Sequence, residues 1–530
     1  MPLMINSKYR LNISDFISVA TGSRKIRLSP EKFFIERINR SYEVINECIK
    51  KNIPVYGVTT GFGDSCRNHI SYDDAKKLQE NLVKYHGCGV GPYFSDIETV
   101  GIVLLRLISN SKGSSGVRYD LLRQLELFVN TPIIPLIPEL GSVGASGDLT
   151  PLSYLAAALS GRRKVIYKNK IMDAKKAIKL CGHMPLSFEP KEALAIMNGT
   201  SVMTSVAGFC IHRAILAVDT AEIITAMAVE VLEGNKGSFA PFIHKAKPFK
   251  GQIESARNIG SYLSGSKKAL AYKEMIDLVK SPSSEKQQHT FLERHIQDRY
   301  SLRCAPHVIG VLRDTINFCK EWVETEMNSV TDNPLVDPDS GTIYSGGNFY
   351  GGHICAAMDS LRAASASTMD LIDKQMELIV DEKFNNALSP NLISSTGTKP
   401  FLRHGFKAMQ ITCTSLAAEC LAHTMPVSSL SRPTEALNQD KVSLGTISAR
   451  ETRTVLTSAL YGMSVMLLAL CQAMELRGLN GFSDPAREVF NLVRGVSPFV
   501  SDDRELDADI NSIYRALENG TVQKIALKYR

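Results

Sequence analysis

The run Gly141-Ser142-Val143-Gly144-Ala145-Ser146-Gly147-Asp148-Leu149-Thr150-Pro151 is built of residues that let a backbone kink sharply. Gly147 has no Cβ and tolerates strained angles, Ala145 adds little bulk, and Ser146 carries a hydroxyl that can leave as water. Taken alone, such a turn would suit almost any protein. It is not a nucleophile elbow, because the G-x-S-x pattern that starts at Gly144 closes on Asp148 instead of glycine. It is not a phosphate loop either, since neither G-K-[ST] nor G-x-G-x-x-G is present. A second glycine-rich turn, Val55-Tyr56-Gly57-Val58-Thr59-Thr60-Gly61-Phe62-Gly63, holds a tyrosine. A phenol can serve as a base only if positive charge or hydrogen bonds lower its pKa from about 10. Further along, Ile196-Met197-Asn198-Gly199-Thr200 offers an amide, and Tyr85-His86 offers an aromatic ring beside a hydrogen-bonding one.

These groups need a scaffold, and at 530 residues the chain can bury a large core in more than one structural unit. A hydrophobic content of 44% with 22% charged residues is ordinary for a soluble globular protein. The formal net charge of +7, from 61 basic and 54 acidic side chains, reads as spread along the length. No block of five like charges occurs, and aromatics are not interleaved with basic residues, which argues against a nucleic-acid partner. A mild attraction for anionic substrates is compatible with the sign. The eleven cysteines form no C-x-x-C pair, and their odd number argues against a disulfide framework and for a reduced, cytoplasmic protein. Scattered Cys and His show no ligand spacing, so no metal is expected. Residues 1–20 lack the continuous apolar core of a secretory signal. The stretch 454–474 is uncharged and long enough for a bilayer, yet it stands alone and contains Thr457, Ser458, Gly462, Ser464 and Gln472. A helix buried on all sides explains it better than a membrane span.

The pattern of elements is mostly α. Up to about residue 200, short helices alternate with turns, and 164–171 reads as a small hairpin around Lys168-Asn169-Lys170. Asp148 and Thr150 can cap a following helix, with Pro151 at an early helical position. Beyond residue 200 the periodicity is helical: Met369, Ile372, Met376 and Ile379 step by three and four, and similar patterns run through 203–234, 303–328, 405–425 and 447–477. Residues 281–299 are polar and read as an exposed, mobile loop. Asp337-Pro338-Asp339-Ser340-Gly341 reads as a turn inside a short hairpin. The expected architecture is an N-terminal, loop-rich domain (1–200) carrying the triplet, followed by a long central helical bundle (201–530) with a lid loop near 281–302.

In order and spacing, these motifs resemble the aromatic amino acid ammonia-lyases and aminomutases, a family that includes histidine, phenylalanine and tyrosine ammonia-lyases. The resemblance extends to Asp298-Arg299-Tyr300-Ser301-Leu302-Arg303-Cys304-Ala305-Pro306, to 328–335, to Gly346-Gly347-Asn348-Phe349-Tyr350-Gly351 and to Leu437-Asn438-Gln439-Asp440. It implies that Ala145, Ser146 and Gly147 cyclise without help into a 4-methylidene-imidazole-5-one. The Gly147 amide nitrogen would attack the Ala145 carbonyl carbon, and Ser146 would lose water to leave the methylidene. It further implies that Tyr56 and Tyr300 are the catalytic tyrosines and that Arg303 holds the substrate carboxylate, a bidentate task suited to guanidinium. Asn198, Asn333, Phe349 and Gln439 are carried over as substrate-binding positions. Tyr350 stands where the family often has histidine or glutamine, so no role is carried over to it. The resemblance also implies a homotetramer whose sites combine loops from three chains.

Substrate choice in this family rests largely on the pair at Tyr85 and His86. A site built to pair a polar group rejects analogues that lack it, so His86 favours a polar ring, the phenol of tyrosine or the imidazole of histidine. Histidine enzymes place a glutamate where this chain has the neutral Gln439, which makes tyrosine the first expectation and histidine or phenylalanine the alternatives. The expected reaction is loss of ammonia to give the trans-arylacrylate, with Tyr56 or Tyr300 removing a β-proton. A tyrosine 2,3-aminomutase would share every motif. A helical assembly protein without activity is the alternative of another class.

Overall fold

The structure is a computed structural model, and the described residues are 1–279, 295–396 and 399–530. Most of the expected loop, 281–294, lies outside them. The fold is mostly α-helical, as its sequence periodicity requires. The chain's contacts gather into two units, and compaction does not follow chain order. One unit comprises 1–212, 319–359 and 426–453, the other 213–318, 360–425 and 454–530.

In the first unit, short helices and two- or three-stranded sheets surround the helix Asp96–Ser111. Ser95 caps this helix, with Glu98 reaching back to the cap in a capping box. Every residue from Glu98 to Ser111 is buried, which accounts for its apolar character nearly all round. Arg106 is among them, and burial lowers its pKa to about 10 against the pull of Asp332 and Asp148. Its guanidinium donates to the Asn198 carbonyl at 2.8 Å and to the Ser109 hydroxyl at 2.7 Å. Nearby, the fully buried pair Lys191–Asp332 closes at 2.6 Å.

The expected hairpins are present. Lys164–Tyr167 pairs antiparallel with Lys170–Asp173 through Lys168 and Asn169, both at positive φ as a type I′ turn requires. Leu335–Asp337 pairs with Thr342–Tyr344. The first hairpin corrects the reading of charge. From Arg162 to Lys179 there are eight basic side chains and one acidic, so this short segment alone carries an excess equal to the +7 of the whole chain. Because these residues are separated by apolar and neutral ones, no run of like charge betrays them.

The second unit is built from long helix segments. The helices Ser201–Val231, Ala305–Met327, Gly352–Val380, Lys407–Ala422 and Gly445–Arg477 match the periodic stretches read from the sequence. Gly445–Arg477 is long and apolar enough to cross a membrane, and 78% of its most apolar window is buried inside the protein. That burial accounts for its composition. Within this unit Arg313 is buried with three carboxylates, Asp219 at 2.9 Å, Glu222 at 2.5 Å and Glu254 at 3.0 Å. Burial works against the Arg313 charge, but these partners outweigh it and hold the guanidinium firmly protonated.

Candidate active site

The site is laid out around a sharp kink. Ser146 (φ 50°) and Gly147 (φ 77°) are both left-handed, and a single left-handed non-glycine residue costs roughly 1–2 kcal/mol. Backbone bonds hold the kink: Gly199 N–H donates to Ser146 O at 3.2 Å, and Asp148 N–H donates to Gly199 O at 2.8 Å. A Cβ on Gly147 would fall on the backbone of Gly199, so glycine is required there for space as well as for conformation.

Asp148 locks the loop in a way the sequence did not suggest. Its carboxylate does not cap its own helix, Leu149–Leu159. It accepts instead from the N–H groups of Val202 (3.1 Å) and Met203 (2.9 Å), the orphan donors that open the helix Ser201–Val231. Ser142 Oγ donates to it at 2.9 Å, and the Thr446 hydroxyl donates as well. Burial raises the Asp148 pKa, and these four donors counter the rise. The triplet is thereby tied to the first turns of two helices.

A cavity of about 650 Å³ opens beside Ser146. It brings together Tyr56, Tyr85, His86, Ala145, Ser146, Asn198 and Gln439, residues far apart in sequence. Gln439 Nε2 donates to Ser146 Oγ at 3.2 Å. Asn198, which ends the helix Glu192–Met197, donates from Nδ2 to the Asn333 carbonyl at 3.4 Å. Its Oδ1 is buried with no partner among the described residues. Such an orphan is costly unless a bound group completes it. The left-handed kink, the close approach at Gly199 and this orphan acceptor fit an imidazolone closed from Ala145, Ser146 and Gly147.

Tyr56 is placed by its own loop. Thr59 Oγ1 accepts from Val55 N–H at 2.8 Å, Thr60 Oγ1 accepts from Gly57 N–H at 3.1 Å, and Gly63 N–H donates to the Tyr56 hydroxyl at 2.9 Å. Burial raises the Tyr56 pKa, the Gly63 hydrogen bond lowers it, and Glu435 raises it further. On balance Tyr56 is a protonated phenol. Tyr85 and His86 lie with ring centroids 4.4 Å apart. Burial, and after it electrostatic repulsion from Tyr56 and Glu435 when these are ionised, push Tyr85 up to about 12. Burial pushes His86 down to about 4 despite Glu435, so His86 is neutral at physiological pH.

Glu435 was missed from sequence. It lines the cavity, and its Oε1 accepts from Asp64 N–H at 3.0 Å. It opens a turn in which Glu435, Ala436 and Leu437 are all left-handed (φ 50°, 52° and 63°), closed by Thr434 N–H donating to Gln439 O at 3.0 Å. The turn sets Glu435 and Gln439 on the same cavity. No glycine or asparagine marks those three positions, so nothing in the residue types announces the turn.

The remaining expected residues lie elsewhere. Asn333 Oδ1 accepts from Gly346 N–H at 2.7 Å, and neither Asn333 nor Phe349 lines the cavity. Tyr350 is 40% exposed. Tyr300 and Arg303 belong to the second unit and are not among the lining residues. There Arg303 Nε donates to the Asp298 carbonyl at 3.1 Å and its guanidinium lies 4.6 Å from the Tyr300 ring centre. It makes no ion pair among the described residues.

Helical stretches around a kinked, pre-organised Ala-Ser-Gly loop define a class of carbon–nitrogen lyases. The aromatic amino acid lyase family matches residues 11–495, and the chain belongs to this family. A histidine ammonia-lyase of Clostridium tetani is 35% identical over 515 residues, covering 96% of this chain and 94% of the relative. A tyrosine ammonia-lyase of Cupriavidus metallidurans is 37% identical over 482 residues, covering 89% of each. Among solved structures, a tyrosine aminomutase of Streptomyces globisporus superposes with a TM-score of 0.94 at 32% identity, covering 100% of this chain and 99% of the other.

Proposed function

We propose that this chain eliminates ammonia from an L-aromatic amino acid with a polar ring, L-tyrosine first, and releases the trans-arylacrylate. The observation that carries this is the cavity in which Gln439 meets Ser146 at 3.2 Å while His86 and Asn198 line the same space. An imidazolone closed from Ala145, Ser146 and Gly147 would be held by Gln439, Asn198 and the Gly199 backbone and would supply an electrophilic carbon that the twenty side chains lack. Neutral His86 presents a hydrogen-bond partner to a phenol. Tyr56 holds a proton at its hydroxyl beside the kink. Arg303, with Tyr300 on the same short helix Tyr300–Arg303, holds the substrate carboxylate from another chain of a homotetramer.

Two further features belong to the same reading. A homotetramer supplies each site with loops from several chains, and the protein works in the cytoplasm, in keeping with eleven free cysteines. A second reading, histidine as substrate, is favoured by Glu435, whose carboxylate accepts an imidazole N–H, and by relatives named histidine ammonia-lyase.

The test is incubation of purified protein with tyrosine, histidine and phenylalanine, with products separated and identified. Coumarate formed fastest supports the first reading and urocanate the second. A β-amino acid as main product indicates the aminomutase reaction, as the tyrosine aminomutase likeness allows. An intact mass equal to that of the unmodified sequence, without loss of two waters, overturns the electrophile.

A further inference from the structure

A second concave surface lies in the first unit, away from the residues that line the catalytic cavity. It is a groove of about 670 Å³ whose charged lining is Arg162, Arg163, Lys175, Lys176 and Lys179 against one acid, Asp173. The cations come from two elements, the start of the hairpin and the helix Ala174–Leu180, which folding brings together. Lys175 and Lys179 are four apart on that helix and share a face, a like-charge pair that repels when unrelieved. Neither forms an ion pair among the described residues. Asp173 is engaged with Lys164 at 2.8 Å, so it neutralises little of the groove.

The two arginines are held differently. Arg163 donates to the Gly87 carbonyl at 3.0 Å, and its guanidinium lies 4.0 Å from the Tyr154 ring centre. It is a fixed wall. Arg162 approaches Glu80 at 3.4 Å, while its Nη1 is buried with no partner among the described residues. The groove thus gathers five cations around a space of small-molecule size.

We propose that this groove is a binding site for a small, multiply charged phosphate compound, such as the diphosphate portion of a nucleotide. Phosphate oxygens would relieve the repulsion between Lys175 and Lys179 and accept from guanidinium, the pairing that planar, charge-assisted donors favour. A polynucleotide fits less well. Single-strand binders need open aromatic faces for stacking, and here the Tyr154 ring is covered by Arg163 while Tyr167 is buried.

The test is isothermal titration of the full chain with inorganic pyrophosphate at low ionic strength, repeated with ADP and with a single-stranded RNA oligonucleotide. The expected result is one pyrophosphate per chain, bound about tenfold or more weakly by Lys175→Glu/Lys179→Glu, as the loss of two ion pairs implies. Lyase activity of that variant should be unchanged, since neither lysine lines the catalytic cavity. Lys179→Gln, a milder change, should weaken binding in the same direction. ADP binding tighter than pyrophosphate would support a nucleotide as the source, and equal affinity would support free diphosphate. No binding of pyrophosphate, equal binding by wild type and variants, or RNA binding that pyrophosphate does not displace would each overturn the proposal.

Discussion

Ser146 combines a left-handed backbone with a hydroxyl held by Gln439, and both properties bear on what its replacement would do. Ser146→Ala keeps the turn but has no hydroxyl to lose. The variant should have no measurable lyase activity, and its intact mass should retain at least the water that the Ser146 hydroxyl would lose, whereas the wild-type protein should be two waters lighter. His86 decides ring choice by hydrogen bonding. His86→Phe should lower kcat/KM for tyrosine relative to phenylalanine by roughly 10- to 100-fold, the usual worth of a buried polar partner, as a competition assay would measure. The pH sign for His86 follows from its depressed pKa of about 4 in the folded chain, against about 6.5 unfolded. The unfolded chain binds the extra proton between these values. The neutral ring therefore contributes its full stability above pH 6.5 and loses it as pH falls toward 4. The difference in chemical-denaturation midpoint between wild type and His86→Phe should be independent of pH above 7, and the wild type should lose more between pH 6.5 and 4.

At the scale of elements, the kink depends on a helix it does not belong to. Asp148 sits just before Leu149–Leu159, where residue types alone suggest a cap, but it satisfies the first N–H groups of Ser201–Val231. Local sequence shows that an acid followed by Thr150 and Pro151 can open a helix. Which helix receives the carboxylate depends on packing of segments more than fifty residues apart. Asp148→Ala should leave those donors unsatisfied and cost about 2–4 kcal/mol, measured as a shift in the urea midpoint at constant m-value. Imidazolone formation should fall with it, visible as retained water in the intact mass. The hairpins and long helices were legible because type I′ turns and 3.6-residue periods are local properties. The Glu435-Ala436-Leu437 turn was not, since three non-glycine residues are driven left-handed by contacts the sequence does not display.

At the scale of the molecule, buried charge is organised as compensated clusters. Arg313 pairs with Asp219, Glu222 and Glu254 within the second unit, and Arg530 also reaches Asp219. Arg313→Met would leave buried carboxylates short of their partner and should destabilise the protein by about 3–5 kcal/mol, read from thermal or urea unfolding. Rescue by a second change, Glu222→Gln, would mark the loss as electrostatic. The helical periodicities, the hairpins, the Ala145-Ser146-Gly147 loop and, through ordered motifs, membership of the lyase family are all legible in residue order. Those signals are local, and they survive in one dimension. Folding alone brings Tyr56, His86, Asn198, Glu435 and Gln439 to one cavity, lets Asp148 cap a distant helix, and gathers five basic side chains on one groove. Each of these is a meeting of side chains from separate stretches, set by which apolar faces bury against one another, and spacing along the chain does not record that.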